Sequence, residues 1–104
     1  MKVVNENNLN IAEIPYKTGE IHIRYSCKLS DDGTRWIHDG LSTEYYRSGN
    51  IASTGFWVDG LENGHFKEYH ENGQLAAEGD YADGKKIGKW SFYDKNGNKL
   101  DYEG

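Results

Sequence analysis

The stretch "GHFKEYHENGQLAAEGDYADGKKIGKW", Gly64 to Trp90, decides the fold, because the chain spells its pattern more than once. With a displacement of 24 residues, "GLSTEYYRSGNIASTGFWVDGLEN" (40–63) lies over "GHFKEYHENGQLAAEGDYADGKKI" (64–87). That segment in turn lies over "GKWSFYDKNGNKLDYEG" (88–104). The leading glycines align as Gly40, Gly64 and Gly88, and the tyrosines as Tyr45, Tyr69 and Tyr93. Later glycines align as Gly49, Gly73 and Gly97. In the two complete units Gly55 matches Gly79, Trp57 matches Tyr81, and Asp59-Gly60 matches Asp83-Gly84. An ungapped period of this length marks a repeat architecture whose units bury their apolar faces against neighbours.

Each unit reads as two short strands. "HFKEYH" and "QLAAEGDYA" flank "ENG", and "DG" closes the second strand. Asn-Gly and Asp-Gly supply the positive φ of tight hairpin turns. Gly55 and Gly79 fall inside strands, where glycine marks a bend or a close backbone approach. Upstream, Ile21, Ile23, Tyr25, Cys27 and Leu29 alternate with polar residues, the pattern of a half-buried strand. A two-residue turn at Asp32-Gly33 would set Leu29 opposite Trp36 and Cys27 opposite His38. The expected fold is therefore all-β: an elongated, curved antiparallel meander of about eight strands in stacked β-hairpins. Residues 1–19 read as an N-terminal cap or extension, 20–39 as a degenerate first hairpin, and 40–104 as three repeats (40–63, 64–87, 88–104) of one domain. The repeated tyrosines should stack along one line.

Bulk composition agrees with a thin architecture. The 104 residues carry 3 Trp, 8 Tyr and 3 Phe with only 36% hydrophobic content, so amphipathic rings must supply much of the core. The formal net charge is −5. An acidic balance disfavours nucleic acid and anionic membranes, both of which call for cationic surface. The N-terminus has no apolar run long enough for a signal peptide or span, and Cys27 has no partner for a disulfide. These features read as cytoplasmic.

The spacing G-x-aromatic-x-x-G-x-x-x-G-x-aromatic occurs as Gly55, Trp57, Gly60, Gly64, Phe66 and again as Gly79, Tyr81, Gly84, Gly88, Trp90. It resembles the MORN repeat, of the form YEGEWxxGxxxGxG. With "EYHENGQ" and "FYDKNGN" ahead of the motif, the unit is similar to the bacterial MORN-repeat variant of the YwqK-type antitoxin family. One departure is that Phe66 and Trp90 stand where the motif has a small residue after its last glycine. The resemblance implies hairpins in a row and a role as antitoxin or immunity partner of a secreted toxin.

No catalytic, cofactor or metal site emerges. His22, His38, His65 and His70 lack metal-ligand spacing and read as solvent-facing. Cys27 falls on an apolar strand face, where a buried, inert thiol is the better reading than a nucleophile activated by His38. "ADGKKIGKW" lacks the spacing of a phosphate loop.

Charge is more informative. Residues 30–83 hold 11 acidic side chains against Arg35, Arg47 and Lys67. This is either a solvated face with guarded edges or an acidic surface that steers a basic protein partner. Positions that differ between repeats are free to specialise, and they run Ser42, Glu44, Tyr46, then Phe66, Glu68, His70, then Trp90, Phe92, Asp94. The candidate partner-binding set is Glu44, Tyr46, Trp57, Phe66, Glu68, His70, Phe92 and Asp94, although Phe66, Trp90 and Phe92 read equally as core. Lysine at both Glu44 and Glu68 is expected to spare folding and weaken binding, with Glu6 and Glu13 as the indifferent control. Two functions follow as expectations: a non-enzymatic binder of a cognate toxin with a basic domain, or a scaffold that self-associates, with possible lipid contact.

Overall fold

The computed structural model describes residues 1–6 and 9–100. Nine strands follow one another: β1 (Lys2–Glu6), β2 (Leu9–Pro15), β3 (Ile21–Leu29), β4 (Trp36–Tyr45), β5 (Ile51–Val58), β6 (Leu61–Tyr69), β7 (Leu75–Ala82), β8 (Lys85–Tyr93) and β9 (Lys99–Leu100). Each pairs antiparallel with the next, so spatial order equals chain order in one open sheet. The all-β meander is as the repeat implies. The N-terminal residues contribute to it as the two strands β1 and β2. The described residues extend over 45 × 32 × 23 Å.

Two kinds of turn alternate along the sheet. Asp59-Gly60 and Asp83-Gly84 are two-residue turns with positive φ at both positions (50° and 84°, 49° and 83°). That is the type I′ geometry, whose twist matches the strands it joins. Aspartate tolerates it because its short polar side chain crowds the left-handed region less than a branched one would.

The opposite edge works differently. The Tyr46 N–H donates to the Asn50 carbonyl (2.8 Å) and the Gly49 N–H returns to the Tyr46 carbonyl (2.9 Å). The same pair of bonds recurs at 70–74, 94–98 and 16–20. These are three-residue loops closed by one left-handed glycine. Asn72 and Asn96 keep negative φ, so "NG" does not act as a two-residue turn; only its glycine takes the special conformation.

The Asp32-Gly33 turn also departs from expectation. Ser30 and Arg35 close a four-residue loop, yet Leu29 still faces Trp36 and Cys27 still faces His38. The Asp32 carboxylate accepts hydrogen bonds from the Ser30 hydroxyl (2.6 Å) and from the Thr34 N–H and hydroxyl. These bonds favour the anion and lower its pKa to about 2.

Neighbouring units are stapled at both edges. On the three-residue side, the hydroxyls of Tyr16 and Tyr46 donate to the carbonyls of Tyr45 (2.8 Å) and Tyr69 (2.6 Å), and His70 Nε2 donates to that of Tyr93 (2.8 Å). On the two-residue side, the Gly60 N–H reaches the His38 carbonyl and the Gly84 N–H that of Glu62. Thus Tyr45, Tyr69 and Tyr93 contribute carbonyls to a hydrogen-bond ladder. Among the described residues their rings do not form the expected stack. The ring contacts run instead along Tyr25–His38–Trp57 and Phe66–Tyr81–Trp90.

The buried core is small: Ile11, Ala12, Tyr25, Cys27, Ala77 and Trp90. The strand-interior glycines explain how aromatics build it. A Cβ on Gly55 would lie 2.4 Å from the Phe66 ring, and one on Gly79 would lie 2.3 Å from Trp90. The rings lie flat over bare backbone, which is why Phe66 and Trp90 replace small residues of the motif.

Candidate protein-binding site

Strand register gathers the chemistry on one face. Across the sheet, Ser42 pairs with Gly55, Gly55 with Phe66, and Phe66 with Gly79. The next row runs Glu44, Ser53, Glu68, Ala77, Phe92. Toward the two-residue turns, Trp57 pairs with Glu62 and Tyr81 with Lys86. Gly55 and Gly79 have no side chain, so the Phe66 and Trp90 rings lie over them and floor this row of the sheet. It opens as a groove of about 320 Å³, walled by His38, Trp57, Phe66, Tyr81 and Trp90, with Glu44, Glu62 and Glu68 along it.

The walls are preorganised. His38 stacks on Tyr25 (centroids 3.5 Å, 7°) and touches Trp57 at 4.5 Å. Tyr81 bridges Phe66 and Trp90 edge-on at 4.8 and 5.2 Å, and the Trp90 indole N–H donates to the Asp80 carbonyl. Burial holds the His38 pKa below its ordinary value despite the opposing charge of Glu62. The Tyr81 phenol is pushed up, first by burial and then by the negative field of Glu62 and Glu68. The groove is therefore aromatic and electronegative, with a neutral imidazole in its wall.

Of the sequence-predicted set, Glu44, Trp57, Phe66 and Glu68 come together here. Phe92 lies on the same face beyond Glu68 and Ala77, and lines an adjoining hollow with Tyr46 and His70. Tyr46 and His70 spend their polar atoms on the edge ladder, and the Asp94 carboxylate caps its own loop by accepting from the Asn96 and Asn98 N–H groups. Glu44 is not a free solvent-facing acid. It accepts a hydrogen bond from His22 Nε2 at 2.8 Å and lies 3.4 Å from the Ser53 hydroxyl. Lysine there would remove the acceptor of the His22 hydrogen bond, so the position is not the uncommitted one that the charge-reversal expectation assumed. Glu13 pairs with Arg24 at 3.2 Å, which removes it as an indifferent control; the Glu6 side chain lies outside the described residues.

His38, Glu62, Tyr81 and Trp90 join the groove without having been in that set. Tyr81 and Trp90 were findable, because they are the next-repeat equivalents of Trp57 and Phe66. The histidines are not uniformly solvent-facing either. His22 stacks on Tyr16, His38 stands in the groove wall, and His70 holds a carbonyl. Cys27 is 6% exposed, its thiol donates to the Asn10 carbonyl, and burial raises its pKa, the reverse of activation. Among the described residues no cluster of metal-ligating side chains forms, and no helix is long and apolar enough to cross a membrane.

No curated protein and no solved structure resembles the chain significantly. Residues 39–59 and 62–83 match the family described as the MORN repeat variant.

Proposed function

We propose that the chain is a protein-binding repeat module, and that it acts as an antitoxin or immunity protein which occludes a basic domain of a cognate toxin. The observation that carries this reading is the groove, where aromatic rings and carboxylates share one face of the sheet. Rings supply contact area at low entropic cost, and carboxylates steer and select a cationic partner. MORN-type repeats serve generally as binding units, and the bacterial variant resembled by "EYHENGQ" and "FYDKNGN" is the source of the toxin assignment. The experiment is co-purification with the product of an adjacent toxin gene, paired with rescue of growth when that toxin is expressed. Absence of both complex and rescue rejects the antitoxin role.

Self-association is a second reading with its own observation. On the opposite face Leu41 pairs with Phe56, and the two side chains are 50% and 55% exposed. An apolar pair left in water on an open sheet favours contact with another copy or a lipid surface. Light scattering that finds a stable dimer supports it, and a strict monomer removes the dimer form.

A further inference from the structure

We propose that the groove is a receptor for one arginine side chain, presented by a basic segment of the protein partner; this deepens the binding reading above and rests on it. Three features select a guanidinium. The first is ring surface, since the groove is lined by Trp57, Phe66 and Tyr81, with the Phe66 ring lying over Gly55 and the Tyr81 ring edge-on to it. A planar, weakly hydrated cation stacks on such surfaces better than a compact ammonium does.

The second is charge. Glu62 is opposite Trp57 in the register and acts electrostatically on both His38 and Tyr81, while Glu68 acts on Tyr81 from the other side. Among the described residues no ion pair holds Glu62 or Glu68, in contrast to Glu44, which is bonded to His22. Two uncommitted carboxylates flanking a ring offer the fork of acceptors that a guanidinium fits.

The third is a cation already in place. The Lys86 ammonium sits 4.6 Å from the centroid of the Trp90 ring, so the chain itself covers one end of the aromatic wall with a positive charge. The Trp57 end has no such cover among the described residues.

The test is a titration of isotope-labelled protein, followed by its tryptophan indole and backbone amide resonances. The probes are the peptide acetyl-Gly-Arg-Gly-amide and its citrulline counterpart, which has the same shape without charge. The expected result is saturable shifts at the Trp57 indole and around Glu62 and Tyr81 with arginine, absent with citrulline. The isosteric double variant Glu62→Gln/Glu68→Gln should retain the spectrum of the folded protein and bind the arginine peptide about tenfold more weakly or worse, as loss of charge-assisted hydrogen bonds implies. Equal shifts with citrulline, shifts confined to another face, no saturable shift, or unchanged affinity of the double variant would each overturn the proposal. Groove binding of arginine with no rescue from a toxin rejects the antitoxin reading alone. Toxin rescue undiminished in the double variant rejects the arginine slot alone.

Discussion

Gly79 and Trp90 show how one missing methyl group governs a core. The indole covers the glycine backbone and is 3% exposed, and a Cβ would meet it at 2.3 Å. Backbone on one side and the edge-on Tyr81 ring on the other leave the indole little freedom to retreat. Gly79→Ala should therefore lower stability by about 1–3 kcal/mol, the usual cost of overpacking. Urea denaturation reads this as a lower midpoint at constant slope, and an unchanged midpoint would show that the ring is free to lift. The histidines make a second residue-scale prediction. Burial lowers the His38 pKa, so the folded protein binds a proton there less readily than the unfolded chain. Its stabilising contribution is present above the ordinary value of 6.5 and is lost as pH falls through the folded value. His65 has the opposite sign: hydrogen bonds to Glu78 and Asp80 raise its pKa. Its contribution is present below 6.5 and lost as pH rises through the folded value, and it is small because the side chain is exposed. Titration of the imidazole resonances should place His38 below 6.5 and His65 above; a reversed order would contradict the stacked His38 geometry.

At the scale of the hairpin, the two turn types divide the labour of each repeat. Asp83 has φ 49°, a region that costs a branched side chain about 1–2 kcal/mol. Asp83→Asn should therefore be nearly neutral and Asp83→Val should lose about that amount, with thermal melts as the readout. Equal melting of the two variants would mean that the turn relaxes out of type I′. The period made these elements legible: Gly49, Gly73 and Gly97 close equivalent loops with φ of 96°, 91° and 87°. The Tyr16–Glu20 loop belongs to the same series, but Gly19 precedes Gly49 by 30 residues, and the longer β3–β4 hairpin hides it from a 24-residue shift. The side-chain uses were less legible for a physical reason. Whether Tyr46 offers its hydroxyl to a partner or to the Tyr69 carbonyl depends on the stagger of one hairpin on the next. The groove likewise needs register between β4, β5, β6, β7 and β8. His38, Glu62 and Lys86 are equivalent positions of the 24-residue period, but they differ in residue type, so the shift alone does not mark them as groove residues.

Among the described residues the molecule is one antiparallel layer with no second layer against either face. Its radius of gyration is 15.1 Å, against roughly 13 Å for a compact domain of about 100 residues. Among the described residues every strand pairs only with its sequence neighbours, so stability is close to a sum over adjacent hairpins. The pairings among these residues differ in extent. β9 joins β8 through two residue pairs, Phe92–Leu100 and Tyr93–Lys99, whereas β6 and β7 share six. At the other end β1 is an edge strand paired only with β2, although Ala12 beneath it is fully buried beside Tyr25 and Cys27. Amide hydrogen exchange should accordingly grade along the sheet. Protection should be least in β9, intermediate in β1, and greatest in β3 to β7, where both the ring-covered glycines and the edge ladder contribute. Tyr46→Phe removes one rung of that ladder, worth about 0.5–1.5 kcal/mol. It should speed exchange on both sides of the β4–β5 turn and reach β9 only weakly. Uniform protection from β1 to β9, or a uniform response to Tyr46→Phe, would mean that the sheet unfolds as one unit. Coupling would then extend well beyond the nearest-neighbour contacts of the meander.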